Sequence, residues 1–187
     1  TFSLALSHPG LRRILILYLP VVAGLVISQI QVAIDRNLAS RTGPQSIAWM
    51  QNATTLIQFP HGLVAVAISL AVLPSLSSLS VQADWESYKR TLAMGLRMVL
   101  VLIVPATVGL FILATPIVAL IFQHGQFKAY DTAWTALALR YYLLGLIFAS
   151  IDWPLNYAFY ARQDTLTPAL VGVFSVVIYL IVALALM

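Results

Sequence analysis

Five stretches of this chain are each long enough and apolar enough to cross a lipid bilayer, and nothing else in the sequence restricts its possible folds so severely. A helix rising about 1.5 Å per residue needs roughly 20 apolar residues to traverse the hydrocarbon. Stretches that satisfy this run over residues 14–34, 47–73, 91–114, 131–160 and 168–187. Backbone polar groups in hydrocarbon must be satisfied within the protein, so segments of this kind are helices. Charged residues make up 9% of the chain and hydrophobic residues 61%, whereas a soluble domain carries about 25% charge. Lipid must cover a surface of that composition. The expected fold class is all-α: a polytopic membrane helix bundle of about five spans, forming a single transmembrane domain over residues 1–187. The absence of cysteine removes disulfides, thiolate metal sites and cysteine nucleophiles. A net charge of +4 fits cytoplasmic loops of a membrane protein and does not call for nucleic acid.

Between the spans, two shorter segments are expected to lie at the membrane surface, approximately residues 79–90 and 116–127. In the first, Trp85, Tyr88 and Leu92 recur at helical spacing with charges on the other faces, which suits an interfacial helix; an ordinary loop fits as well. The second, PIVALIFQHGQF, is too short to span and reads as a re-entrant or interfacial turn ending at Gly125. Thr115-Pro116 and Thr167-Pro168 read as helix starts, with threonine as the cap and proline at the first helical position. Asp131 reads as the cap of the fourth span. Pro20 is expected to kink the first span, and Pro74 to bound the second. Arg12, Arg13, Lys89, Arg90 and Arg162 fall on one side of this arrangement, and Arg36, Arg41 and Lys128 on the other. The basic excess predicts a cytoplasmic N-terminus for this segment. The sequence starts at Thr1 and stops inside the apolar run VVIYLIVALALM, so it is expected to be a piece of a larger, transporter-sized chain.

The second span carries an unusual load of hydrogen-bonding groups. Gln51, Thr54, Thr55, Gln58, His61 and Gly62 recur at i, i+3, i+4 and i+7, with Ala65 and Ser69 continuing the series. They therefore form a stripe on one helix face. Pro60 frees the carbonyl of Leu56 in mid-span, and such a group needs a neighbour or water. Two accounts fit: a face lining a hydrated cavity, or polar glue between packed helices, worth about 0.6 kcal/mol per bond. The first span has a shorter polar face of Gly24, Ser28, Gln31 and Asp35, with Gln29 and Arg36 nearby. Asp35 and Arg36 lie close enough to the membrane edge to be solvated or paired. Arg140 and Asp152 lie within the fourth span, about 18 Å apart along a helix, too far to pair directly. Arg140 either reaches headgroups or binds an anionic substrate; Asp152 either binds a cation or proton or caps a kink.

Chemistry beyond transport finds little support. There is no Gly-rich phosphate loop and no Gly-x-Ser-x-Gly elbow. His8, His61 and His124 are scattered without metal-ligand spacing. No catalytic residue, metal or cofactor is expected, and the chain is expected not to be an enzyme. Prolines inside spans and a polar stripe suit a transporter.

Four stretches carry a resemblance to a known family: QIQVAIDRNLAS, IQFPHGLVAVAISLAVLPSLS, PIVALIFQHGQF and FYARQDTLTP. In order and spacing they resemble the MurJ/MviN family, the lipid II flippases of the multidrug/oligosaccharidyl-lipid/polysaccharide exporter superfamily. The resemblance covers nearly the whole chain. It implies that these spans are similar to the seventh through eleventh of a fourteen-helix protein, forming part of a flippase-type carboxyl-terminal lobe, with the amino-terminal lobe elsewhere in the same chain. It also implies a bacterial inner-membrane location, a role in peptidoglycan synthesis, and a lipid-linked anionic glycan as substrate, moved across the membrane lipids by alternating access. The substrate path is then expected to draw on Gln29, Gln31, Arg36, Gln51, Asn52, Thr55, Gln58 and Arg140, with Pro60, Gly62 and Pro105 as hinges. One position departs: Ala53-Thr54-Thr55-Leu56 stands where the family usually has Ala-Asp-Arg-Leu or Ala-Asn-Arg-Leu. Threonine hydrogen-bonds a phosphate or sugar but does not neutralise it, and it lacks arginine's bidentate fork. The positive charge then falls to Arg36, Arg140 or the other lobe, or else the substrate differs. Export of another lipid-linked polysaccharide or small molecule, or a non-transporting scaffold of envelope synthesis, are the alternatives.

Overall fold

The computed structural model describes residues 9–43 and 45–185. Pro44, the last two residues of the fifth expected span and the side chains of Arg12, Arg13 and Arg41 lie outside that description. The regular structure of the described residues is helical: α1 (Pro9–Thr42), α2 (Ser46–Pro60), a π-helical turn (His61–Val66), α3 (Ala67–Val81), α4 (Trp85–Ile112), α5 (Ala114–Phe122), α6 (Ala129–Ala161) and α7 (Leu166–Ala185). Among the described residues, three continuous helices are long and apolar enough to cross a membrane: Ser46–Val81, Trp85–Ile112 and Ala129–Ala161.

The second span owes its shape to Pro60. Proline has no N–H for the carbonyl four residues back, and its ring crowds that carbonyl. The helix does not break there. It widens into the π turn from His61 to Val66, and the His61 N–H is shared between the carbonyls of Ile57 and Gln58. The buried side records this phase change. Its residues are Ala53, Pro60, Ala65, Ser69 and Leu76. Steps of seven and four are α-helical, but the step of five from Pro60 to Ala65 is that of one π turn. Ala65 and Ser69 are consequently 0% and 1% exposed, not members of the outward stripe that uninterrupted α periodicity predicts.

Two element boundaries differ from expectation for local reasons. Pro74, on the exposed side, does not end the second span, which continues to Val81. Residues 79–90, expected as one interfacial segment, instead divide between the end of α3 and the start of α4. The turn between them is compact because Ala83 adopts a left-handed conformation, φ 57°. The Asp84 N–H reaches the Leu79 carbonyl at 3.1 Å and the Ala83 N–H reaches the Ser80 carbonyl at 3.3 Å, the paired bonds of a Schellman helix end. Asp84 then caps α4 by accepting the Ser87 N–H at 3.1 Å. Hydrogen bonding from Ser87, through its side chain and backbone, holds the Asp84 carboxyl below its ordinary range. A depressed carboxylate contributes stability above its unfolded pKa and loses it as pH falls through the folded value. Amide exchange at Ser87 is therefore expected to accelerate on acidification below the usual carboxylate range, and Asp84→Asn to abolish that pH dependence. Exchange that stays pH-independent, once corrected for the intrinsic rate, would contradict the cap.

Residues 39–161 form one compact unit. Its hub is α6, which packs against α2, the π turn, α3, α4 and α5. Leu139, Leu143 and Leu146 of α6 meet Val99 and Ile103 of α4, Val118 of α5 and the small Ala53 and Ala65. Small residues at such seams let helices approach closely where lipid removes the hydrophobic drive. A second cluster joins Leu76, Tyr88, Ala158 and Ala161. There the Tyr88 hydroxyl donates to the Ala158 carbonyl at 2.5 Å, tying α4 to the last turn of α6. The other unit holds α1 up to Leu38 and the segment from Arg162. α1 runs through Pro20 without interruption. Within this unit the Tyr179 hydroxyl donates to the Asp35 carboxylate. Asp164 accepts both the N–H of Thr167 at 3.0 Å and its hydroxyl at 2.7 Å. The capping carboxylate at the start of α7 thus comes from Asp164, upstream of the expected Thr167.

Candidate functional site

The polar edge of α2 is the feature the packing leaves open. Gln51, Thr55 and Gln58 are exposed, Asn52 and Thr54 are half-buried, and Gly62 is exposed one turn further on. No helix of the same unit covers Gln51, Thr55 or Gln58. The hydroxyls of Thr54 and Thr55 both donate to the Gln51 carbonyl, at 2.9 and 2.8 Å. Threonine back-bonding of this kind competes with the helical ladder and favours bending. The edge therefore offers two free amide side chains, which both donate and accept, above a π turn that already disturbs the backbone. A side chain added at Gly62 would meet nothing within 4 Å, so packing does not demand glycine there.

On its other side, the π turn touches α6. The His61 imidazole stands edge-on to Trp153, with ring centroids 6.0 Å apart, and its Nε2 is buried without a hydrogen-bond partner. Asp152, one residue earlier in α6, is exposed and accepts from Asn156 Nδ2 at 2.6 Å. Asp152 thus engages its own helix one turn on. Among the described residues, no group of three or more His, Cys, Asp or Glu is placed to hold a metal ion.

Arg140 is held by the protein itself. Its Nε donates to the Phe111 carbonyl at 3.3 Å and its terminal nitrogen to Thr115 Oγ1 at 3.2 Å, and its guanidinium carbon lies 6.0 Å from the Phe111 ring centroid. The Phe111 carbonyl belongs to the last turn of α4, where acceptors are unsatisfied and a cation is favoured by the helix dipole. Arg140 thereby ties α6 to the α4–α5 junction. Thr115 accepts that arginine instead of capping α5, which starts at Ala114 with Leu113 before it and no side-chain cap. Pro105 sits exposed in an unbroken α4. Gln29, Gln31 and Arg36 are on α1, in the other unit; Gln29 and Arg36 are exposed and Gln31 half-buried.

Sequence reasoning missed the most organised group of side chains. Trp49 stacks on Trp134 at 5.7 Å with planes 11° apart, and Tyr130 stands edge-on to both. Asp131, expected as the cap of α6, lies inside its first turn and reaches back to the Lys128 N–H at 2.8 Å while accepting the Trp49 indole N–H at 2.9 Å. This is the carboxylate half of a capping box, joined to a contact between helices. The available signal was the spacing of Tyr130, Trp134 and Tyr141, which share one helical face.

Comparison with known proteins bears on the whole chain. The sequence model of the family described as Lipid II flippase MurJ matches residues 2–187. A lipid II flippase MurJ from Burkholderia cenocepacia is 37% identical over 169 residues, which are 90% of this chain and 33% of that protein. A probable lipid II flippase MurJ from Vibrio cholerae is 34% identical over 171 residues, covering 91% of this chain and 33% of the relative. A solved structure of lipid II flippase MurJ in an inward closed conformation superposes with a TM-score of 0.74 at 31% identity, over 92% of this chain and 36% of its own. The chain thus spans about a third of the length of the curated relatives it matches. With a family match over nearly every residue and an all-helical fold shared with a solved member, the chain belongs to the MurJ lipid II flippase family.

Proposed function

We propose that this chain forms part of a membrane transporter that moves lipid II, a lipid-linked anionic glycan, between leaflets by alternating access, and that it is not an enzyme. In this reading the residues sit in a bacterial inner membrane with the N-terminal end of α1 cytoplasmic. The other two thirds of the relatives' length complete the transporter. The observation that carries the reading is the exposed edge of Gln51, Thr55 and Gln58, directly before a π turn. The Gln51 and Gln58 amides would be unsatisfied facing hydrocarbon, whereas facing a hydrated path they bind water or the sugar and phosphate groups of a passing headgroup; the Thr55 hydroxyl is already satisfied by the Gln51 carbonyl. Pro60, which has no N–H to offer the Leu56 carbonyl, and Gly62, free of packing constraint, supply a place where α2 and α3 change their mutual angle. Arg140 supplies positive potential only from a side chain already clamped, so Arg36 and the remainder of the transporter carry more of the task of attracting a pyrophosphate. Thr55 in place of the family's arginine favours a second reading, the export of a differently charged lipid-linked polysaccharide.

This stretch has no cysteine of its own, so a cysteine placed in it is read against the same protein without the substitution. Gln58→Cys is expected to react with a membrane-impermeant thiol reagent in intact cells or vesicles, and the neighbouring Phe59→Cys, 74% exposed on a different face, to resist it. Equal protection of the two positions would remove the hydrated path and with it the transport reading.

A further inference from the structure

The aromatic group at the Ser46 end of α2 borders a half-open cleft of about 620 Å³, walled by Trp49, Tyr130, Trp134 and Tyr141 and edged by Gln45 and Ser46. A volume in this range, with apolar walls and a few convergent polar groups, is that of a small-ligand site. We propose that it is a sugar-binding subsite, taking one or two neutral pyranose rings. This deepens the transport reading above, because it assigns the glycan part of the headgroup to this cleft and leaves the pyrophosphate to other residues.

The chemistry of the lining selects the ligand. A pyranose presents a face of C–H bonds and an edge of hydroxyls and amides. Stacked indoles match the face, and the Gln45 amide, the Ser46 hydroxyl and the tyrosine hydroxyls match the edge. None of these lining residues carries a formal charge, so a phosphate finds no counter-ion here. A cationic lipid headgroup would find ring faces here but no free carboxylate to add a counter-charge. The nearest, Asp131, already accepts from Trp49 and Lys128. The site is also built in advance of any ligand. Asp131 is buried to 9% exposure and fixes the Trp49 indole, which in turn registers the Trp134 stack. Fixing the rings before binding removes part of the ordering cost of association. Aromatic residues of a membrane belt sit at headgroup level; these, in addition, converge from two helices on one concave space. Trp134 and Tyr141 remain 43% and 69% exposed, so the cleft is reachable from outside the unit.

This stretch contains four tryptophans, which fluorine NMR of the full-length protein, labelled with 5-fluorotryptophan in detergent, resolves once each of the four signals is assigned by a Trp→Phe substitution. Titration with N,N′-diacetylchitobiose is expected to shift the Trp49 and Trp134 signals saturably and to leave those of Trp85 and Trp153 in place. Trp134→Ala is expected to weaken the apparent affinity about tenfold, the loss typical of a central aromatic anchor, and Trp134→Phe to retain most of it. Should Trp134→Ala lose helix content, Tyr141→Ala, at the exposed lip, gives the same reading. No saturable shift, an equal shift of all four signals, or a shift with phosphocholine but not with the disaccharide would each overturn the proposal. The titration needs no transport. Lipid II transport measured separately in vesicles therefore tells a failed subsite from a failed transport reading.

Discussion

Tyr88→Ala is expected to destabilise the protein by about 3–5 kcal/mol, the range for deleting a buried aromatic side chain. Two losses combine. The ring, 5% exposed, fills the space between Leu76 of α3 and Ala158 and Ala161 of α6, and neighbours that small cannot close the gap. The hydroxyl donates to the Ala158 carbonyl in the last turn of α6, and that bond between α4 and α6 goes with it. Tyr88→Phe separates the two terms. It keeps the ring and is expected to cost about 1 kcal/mol, the net worth of one intramolecular hydrogen bond. Thermal or denaturant unfolding in detergent, followed by circular dichroism, reads the difference. If Tyr88→Phe cost as much as Tyr88→Ala, the packing argument would fail; if it cost nothing, the hydrogen bond would have no weight.

Gly95→Leu is expected to be nearly as damaging, at about 3 kcal/mol, the upper part of the range for overpacking a close seam. Even a Cβ at Gly95 would stand 3.3 Å from Cγ2 of Val72, so α3 and α4 cross with no room for a branched side chain. Gly95→Ala asks only a few tenths of an ångström of Val72 and is expected to be mild. The paired variant Gly95→Ala with Val72→Ala is expected to recover whatever Gly95→Ala loses, since the two sites share one contact. A Gly95→Leu protein that unfolded at the unsubstituted midpoint would mean that the α3–α4 crossing is looser than described.

The gross architecture was legible in hydropathy because the bilayer imposes one requirement on every spanning segment, a long apolar run with an internally satisfied backbone. The positions of α4, α6 and the second span follow from that rule. Their ends do not. Pro74 sits on an exposed side and is carried inside a helix, while the chain reverses at Ala83, a residue with no turn signature. There the paired carbonyl bonds and the Asp84 cap set the turn, and these are relations between residues that composition does not express. The four family stretches were legible for a different reason: they are local strings, and a string survives without knowledge of its packing.

The candidate site divides in the same way. Gln51, Thr55 and Gln58 lie before Pro60, where the helix keeps its α phase, and periodicity placed them correctly on one exposed edge. Ala65 and Ser69 lie after it. The extra residue of the π turn rotates them into the seam with the neighbouring helices, an outcome that no count at 3.6 residues per turn contains. Arg140 was readable as a charge within a span, but not as the donor to a carbonyl at the end of α4, because that carbonyl is 29 residues away in sequence. Trp49 and Trp134 are further apart still, and only the packing of α2 against α6 makes them one wall. The sequence by itself determined the solvent this protein is built for, its helical class, its family and the polar edge of α2, since each depends on side-chain type and short-range spacing. The tertiary structure alone decided which polar groups are already partnered and where aromatic rings converge, because hydrogen bonds and clefts between helices form from residues that are neighbours only after folding.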